Sequence, residues 1–269
     1  MGADQRVVFE APSTFGDLSV TESADGWRSL WFGKGRVCQG VVELGRVGCS
    51  GLPYLAVALA GLAWVRELRS VLVVGLGAGV LPRFLHAYLP ELEIDVVEID
   101  PLVVEVAERF FEFETDAKLR VHVGDGRDFI TRCTSRYDAI VLDGYGLHEV
   151  PSHLSTLEFL LATRAALRPG GLVVANLWGD SSSRYHACTL ATYAEAFAQI
   201  EVLDVGTLAN KIVLALPESS ALGREGLIAR AREFSRVHRL PLDLGDHVQA
   251  MQGLAELGPL GCVLRDCET

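Results

Sequence analysis

Four short segments hold the residue types from which a binding and transfer site could be built. Gly75-Leu-Gly-Ala-Gly79 follows an apolar run. Glycines there let the backbone approach a ligand closely, and a helix beginning after them offers its amino end. Glu98 lies 23 residues beyond Gly75, with Ile99 beside it. A carboxylate at that place can accept both hydroxyl protons of a ribose. Gly124-Asp125-Gly126 supplies a third position, where Asp125 can accept from an adenine amine and Gly126 leaves room for the ring. A nicotinamide dinucleotide loop would need Gly or Ala where Val80 stands, whereas a GxGxG loop suits S-adenosylmethionine. The fourth segment, Asp143 to Glu149, is where group transfer would occur. A carboxylate such as Asp143 can orient an amine for in-line attack and take its proton, an effect worth about 10²–10⁴-fold. Asp143 is therefore the candidate catalytic residue and a candidate cofactor contact. Tyr145, His148 and Glu149 are candidates for the substrate loop, and Asn176 and Trp178 for the acceptor pocket.

Each position also has an ordinary structural use. The glycine loop can be only a turn, Asp125 a solvated turn residue, and Asp143 a loop cap or a partner for the ligand's own amino group. His148 can be only solvated, and Trp178 can be core or rim packing. The coincidence of three acidic positions with the Arg168-Pro-Gly-Gly171 turn is what favours an adenosyl sulfonium ligand over a dinucleotide.

The elements that must position these residues alternate. Val71–Val74 is an apolar run of the kind buried on both faces of a parallel sheet. Ile94–Glu98, Leu119–Val123, Ala139–Leu142 and Leu172–Ala175 read as further strands. Helices are expected over Leu55–Glu67, Pro82–Tyr88, Leu102–Phe111 and Leu154–Leu167, the last stopping at the Arg168–Gly171 turn. Such alternation builds a Rossmann-like α/β sheet with right-handed crossovers. Glu201–Val205 and Lys211–Leu216 read as a closing antiparallel hairpin. Ahead of the sheet, Arg6–Glu10, Asp17–Thr21, Trp27–Phe32 and Val37–Leu44 read as a small antiparallel β-unit. After it, Leu222–Val237 reads as a helix with Arg224, Arg230, Arg232 and Arg236 on its wet side, followed by a short helix and a loose tail. The expected divisions are 1–52, 53–217 and 218–269.

Composition narrows the class. With 269 residues, 49% hydrophobic and 22% charged, the chain is that of a globular protein and not of a disordered one. A net charge of −11 argues against a nucleic-acid binder that grips phosphates by bulk charge. The most apolar stretch, from Leu52, runs about 14 residues, short of the roughly 20 that a bilayer needs. No secretory signal opens the chain, so a cytoplasmic location without membrane attachment is expected. The six cysteines form no CxxC pair and no zinc spacing, so no metal is expected; ordinary thiols are the plain reading, and a Cys262–Cys267 bridge or clip the alternative.

Several motifs together resemble the spermidine synthase superfamily of class I S-adenosylmethionine-dependent transferases. They are the run Val71–Gly79, Val97-Glu-Ile-Asp-Pro101, Gly124-Asp-Gly-Arg-Asp-Phe129, Tyr137–Asp143 and Leu167-Arg-Pro-Gly-Gly171. Phe15-Gly-Asp-Leu18, Arg28-Ser-Leu30 and Gln39-Gly-Val-Val42 resemble that family's amino-terminal unit. The resemblance implies a strand order of 3-2-1-4-5-7-6, a homodimer, and a Gln39 that covers the nucleoside. It implies polyamine chemistry less strongly. Family aminopropyltransferases carry an Asp in the glycine loop where Ala78 stands, a second acid soon after the position of Asp143, and an acidic segment where Leu44–Pro53 stands. Gly61-Leu-Ala63, Gly75–Pro82, Phe84-Leu-His86 and Asn176-Leu177 are more similar to the methyltransferase branch acting on a translation elongation factor. That branch implies S-adenosylmethionine as cofactor and a methyl-accepting amine on a protein, peptide or small molecule. The alternatives are aminopropyl transfer from decarboxylated S-adenosylmethionine, and a catalytically inactive adenosyl-ligand-binding or scaffold protein.

Overall fold

The computed structural model describes residues 5–14, 16–33, 37–48, 53–133, 136–144, 151–178, 183–205, 210–250 and 261–266. Strands β1 (Gln5–Ala11), β2 (Leu18–Ser23), β3 (Trp27–Phe32) and β4 (Val37–Glu43) form an antiparallel sheet in chain order. Its buried residues include Leu18, Val20, Leu30 and Trp31. The Trp31 indole N–H finds Thr21 Oγ1 at 2.8 Å, so its polar edge is satisfied inside.

Helix α1 (Pro53–Leu62) leads into strand β5 (Ser70–Val74). Then come α2 (Val80–Tyr88), β6 (Glu93–Glu98), α3 (Pro101–Phe110), β7 (Leu119–Val123), α4 (Gly126–Arg132) and β8 (Tyr137–Leu142). A single 3-10 turn (Ser152–Leu154) precedes α5 (Leu157–Ala166) and β9 (Leu167–Trp178). The chain closes with α6 (Arg184–Ala196), β10 (Gln199–Asp204), β11 (Asn210–Leu216), α7 (Arg224–Val237) and α8 (Leu244–Ala250).

The second sheet has seven strands in the order β7-β6-β5-β8-β9-β11-β10, with β11 antiparallel to both neighbours. Numbered within the sheet, that is 3-2-1-4-5-7-6, as the resemblance implies. The order reverses between β6 and β8, on either side of β5, which opens a crevice at the carboxyl ends of these strands. At the opposite end, Asp138 accepts from the backbone N–H groups of Arg69 and Ser70 and pairs with Arg168, tying β5, β8 and β9 together. Residues Leu55–Val65 are all buried, so α1 is apolar around its whole girth. It packs against β9 and β11 and against α7 and α8. Gly61 is where it meets β11: a Cβ there would lie 2.5 Å from Leu214.

Several expectations are corrected. Helix α1 ends at Leu62 rather than Glu67, and α5 spans Leu157–Ala166, with Leu154 in the preceding turn. The Arg168–Gly171 turn does not separate helix from strand, because β9 already begins at Leu167, with Gly170 at φ 77°. Helices α4 and α6 were not foreseen; each starts on a side-chain cap, Asp125 and Ser183. Arg224 and Arg230 are half-buried rather than wet, and Arg230 donates to the carbonyl of Trp64 at 2.7 Å. The tail is not loose over 261–266: the N–H of Leu157 donates to Leu264 O at 2.8 Å. Among the described residues no helix is long and apolar enough to cross a membrane.

Candidate functional site

A cavity of about 540 Å³ opens at the crevice, within the range of small-molecule sites. Its floor is the glycine loop between β5 and α2. Gly75 has φ 97°, and a Cβ on it would stand 2.4 Å from the carbonyl oxygen of Asp143, so only glycine lets the two strand ends approach. Gly77, at φ 54°, packs against the carbonyl of Gln39. Gly79 does not line the cavity; it is the left-handed residue before α2, and its missing Cβ makes room for Phe113. Gly40 on β4 faces Ala78 so closely that a Cβ would lie 2.4 Å from the Ala78 methyl. The small sheet thus sits directly on the loop, and Gln39 lines the cavity.

Glu98, at the end of β6, is buried. Its Oε2 accepts from the N–H of Leu76 at 2.8 Å and its Oε1 from the N–H of Asp100 at 3.0 Å. Burial pushes its carboxyl above the ordinary value, against the pull of those N–H groups. Each oxygen keeps a second lone pair for a ligand hydroxyl. Ile99 leaves 43% of its surface exposed at the cavity, an apolar wall beside the carboxylate. Asp125 caps α4: its Oδ1 accepts from the N–H groups of Arg127 at 2.8 Å and Asp128 at 3.1 Å. Its Oδ2 accepts from His153 Nε2 at 2.8 Å. Burial opposes ionisation of Asp125, but the Asp128 amide and His153 outweigh it and hold the carboxyl below the usual range. The missing side chain of Gly126 spares Val74, with which a Cβ would collide at 2.5 Å. It serves the packing of α4 on β5 as well as the pocket.

Asp143 closes the other end. Its Oδ1 accepts from Asn176 Nδ2 at 2.8 Å and its Oδ2 from the Tyr54 hydroxyl at 3.2 Å. Asn176 Oδ1 in turn accepts from Asn210 Nδ2 at 2.9 Å. Burial raises the Asp143 carboxyl to about 6, partly offset by the bonds from Asn176 and Tyr54. A group with that value is ionised at neutral pH yet close to protonation, as a general base requires. Burial and the neighbouring Asp143 push the Tyr54 hydroxyl well above its ordinary value, so it stays a donor. Cys38 also lines this end, its thiol pushed up by burial.

The structure therefore gathers Gln39, Gly75, Gly77, Glu98, Ile99, Asp125, Gly126, Asp143 and Asn176 around one cavity. Tyr145, His148 and Glu149 lie outside the described residues, as does the side chain of Trp178. Three residues escaped the sequence reading: Tyr54, Asn210 and His153. Tyr54 stands in the first turn of α1 within an apolar run, Asn210 begins a hairpin strand, and His153 sits in the short 3-10 turn before α5; none has a local pattern that marks it. Among the described residues no group of His, Cys, Asp or Glu could hold a metal ion.

The cradle fits an adenosyl ligand: backbone exposed by glycines, a buried carboxylate with spare lone pairs, an apolar wall and a second carboxylate one strand away. Comparison with known proteins agrees. Residues 56–204 match the spermine/spermidine synthase domain family, and the chain belongs to it. It is 36% identical over 181 residues to a polyamine aminopropyltransferase of Vibrio vulnificus, covering 64% of this chain and 60% of that protein. It is 34% identical over 158 residues to the eEF1A lysine and N-terminal methyltransferase homolog of Drosophila melanogaster, covering 54% of this chain and 24% of that one. The crystal structure of human methyltransferase-like protein 13 in complex with SAH superposes with a TM-score of 0.64 at 28% identity, over 71% of this chain and 94% of that one. Members of the family are S-adenosylmethionine-dependent transferases, of methyl in one branch and aminopropyl in the other.

Proposed function

We propose that this chain transfers the methyl group of S-adenosylmethionine to an amine carried by a protein, peptide or small molecule. The observation that carries the reading is the acceptor end of the cavity. Among the described residues it has one buried carboxylate, Asp143, tied to Tyr54, Asn176 and Asn210, in a cavity that Leu55 and Phe32 also line. That end accommodates one amine on an apolar or neutral arm. A diamine would bring a second ammonium with no described carboxylate to meet it, a cost of several kcal/mol.

Glu98 would hold the ribose hydroxyls, Asp125 the adenine amine, and Ile99 and Gln39 the faces of the nucleoside. The Gly77 and Ala78 amides would hold the methionine end, those of Gly75, Leu76 and Gly79 being donated to Val97 O, Glu98 and Leu76 O. Bound there, the cofactor supplies an electrophilic methyl on a positively charged sulfur. Asp143 accepts a hydrogen bond from the incoming amine and points its lone pair along the line of attack. Asp143 would take the proton of the ammonium that methyl transfer leaves on the acceptor nitrogen and pass it to water. Tyr54 and Asn176 hold the two carboxylate oxygens in place through that exchange.

One feature favours aminopropyl transfer instead. The described acids of the cavity are Glu98, Asp100, Asp125 and Asp143, and among the described residues no Lys or Arg joins them, which suits a decarboxylated, more cationic ligand. The similarity to the Vibrio protein points the same way. Calorimetry separates the readings. Cofactor-stripped protein is titrated with S-adenosylmethionine, S-adenosylhomocysteine and decarboxylated S-adenosylmethionine. Methyl transfer requires at least a tenfold preference for the carboxylated ligands, about 1.4 kcal/mol. The opposite preference establishes aminopropyl transfer, and binding of none leaves a scaffold.

A further inference from the structure

Two cysteines far from the cavity chemistry meet across a strap that reaches back to the cavity wall. Cys188 lies on the buried face of α6, 3% exposed. Residues 261–266 run along this helix. The N–H of Gly261 donates to Ala187 O at 3.2 Å. A Cβ at residue 261 would stand 2.5 Å from the Cys188 nitrogen and 2.7 Å from its sulfur, so the strap approaches only because that residue is glycine. Cys262 is exposed, its N–H donates to Cys188 Sγ at 3.1 Å, and the two sulfurs are 2.9 Å apart. The Cys267 partner considered from spacing lies outside the described residues; the neighbour of Cys262 is a cysteine 74 positions away.

The other end of the strap is fastened beside the nucleoside end of the cavity. Leu264 N–H donates to Thr192 Oγ1 at 2.9 Å, and Asp266 N–H to Glu158 Oε2 at 2.9 Å. The Asp266 carboxylate receives both terminal nitrogens of Arg127. The same guanidinium donates to His153 O at 3.0 Å, and the His153 ring holds Asp125. Strap, Arg127, His153 and Asp125 form one continuous hydrogen-bonded series.

We propose that Cys188 and Cys262 are a dithiol site for small-molecule disulfides, closing to an intramolecular bond that staples the strap to α6. The first step falls to Cys262, the exposed partner. Its bond with Cys188 and the nearby Arg184 guanidinium lower its thiol, whereas the bond to Cys262 and burial raise that of Cys188. The Cys262 thiolate attacks one sulfur of the reagent; the reagent's S–S bond breaks and one thiol leaves. The Cys188 sulfur, losing its proton to solvent, then attacks the mixed disulfide at Cys262 and expels the second thiol. Two cysteines are oxidised and one reagent disulfide is reduced to two thiols, so electrons and protons balance. The sulfurs need to close by less than 1 Å to reach about 2.05 Å. This site does not rest on the transfer reaction.

The test uses the full chain, reduced, desalted and exposed to oxidised glutathione, then alkylated and mapped by peptide mass spectrometry. The expected product is a Cys188–Cys262 cross-linked peptide pair in a protein lighter by two hydrogens, reversed by dithiothreitol. Cys262→Ser, at an exposed position, is expected to abolish the cross-link and leave Cys188 free for alkylation after unfolding. A lasting glutathione adduct on Cys262 beside a free Cys188, a Cys262–Cys267 link, or full alkylation of both cysteines overturns the proposal. Stapling is read separately by carboxypeptidase digestion of the tail, expected to slow at least tenfold on oxidation; an unchanged rate overturns that part.

Discussion

At the end of the cavity proposed for the nucleoside, Glu98 ends β6 and Asp125 comes just after β7, and backbone N–H groups hold them. At the acceptor end, Asp143 from β8 is held by side chains from α1 and β9, and the β9 amide is set by another from β11. The first arrangement makes rigid acceptors for fixed hydroxyl and amine donors. The second leaves one carboxylate in a low-polarity surround whose proton affinity depends on its neighbours. Binding and chemistry should therefore fail separately. Asp143→Asn is expected to lower turnover by about 10²–10⁴-fold while changing the affinity for S-adenosylhomocysteine by less than about tenfold, read by initial rates and calorimetry. The wild-type rate should fall as pH drops through about 6, where Asp143 takes up its proton. The sign for stability is opposite. A folded value raised above the unfolded 3.8 means that ionisation costs stability above about 6 and that the cost vanishes at acid pH. The Asn variant should thus melt higher than wild type at pH above 7 and lose this advantage near pH 4. If rate and affinity fall together, the two ends are not independent.

The converse change strikes the other end. Glu98→Gln replaces one acceptor oxygen by an amide N–H₂ that faces the N–H of Leu76 or Asp100. A buried charged hydrogen bond is worth about 1.5–3 kcal/mol, so affinity for S-adenosylhomocysteine should drop roughly 10–100-fold. At saturating cofactor, turnover should recover to within about threefold of wild type.

The same contrast explains how much could be read from the chain. Strand ends in a parallel sheet are legible, because Val71–Val74 and Ile94–Glu98 are short apolar runs and the ligand-facing residue comes next. Glu98, Asp125 and Asp143 were placed at the cavity that way, as was the glycine loop. The four-stranded unit and the seven-strand order were legible too, the order through resemblance rather than periodicity. Tyr54 was not, because its use depends on α1 being carried to the end of β8, a contact between positions 89 apart. Asn210 was missed for the same reason: it matters only because β11 lies antiparallel to β9, which brings its amide to Asn176. Helix α6 was missed because its sequence, with Thr189, Thr192 and His186 buried, lacks a clean apolar stripe.

Asn210 offers a finer test of the acceptor end. Asn210→Ala removes a bond that helps fix which way the Asn176 amide points. Asn176 then donates to Asp143 less of the time, and the Asp143 carboxyl rises further. The acid limb of the rate profile should move to higher pH, with turnover near its optimum reduced only about threefold to tenfold. An unmoved limb would mean that Asn176 is oriented by other contacts.

The smallest effect is expected at His153, which bears on Asp125 from outside the strand framework. Its ring bond helps hold the Asp125 carboxyl below the usual range, but two backbone N–H groups already fix Oδ1. His153→Ala removes one bond of a half-exposed pair, worth about 0.5–1 kcal/mol. Affinity for S-adenosylhomocysteine should fall about twofold to fivefold, with turnover at saturation and the acid limb unchanged. His153→Gln, which keeps a donor within reach of Oδ2, should recover most of that loss. If His153→Ala shifts the acid limb instead, the ring acts on Asp143 as well, and the separation between the two ends breaks at the residue the strap holds in place.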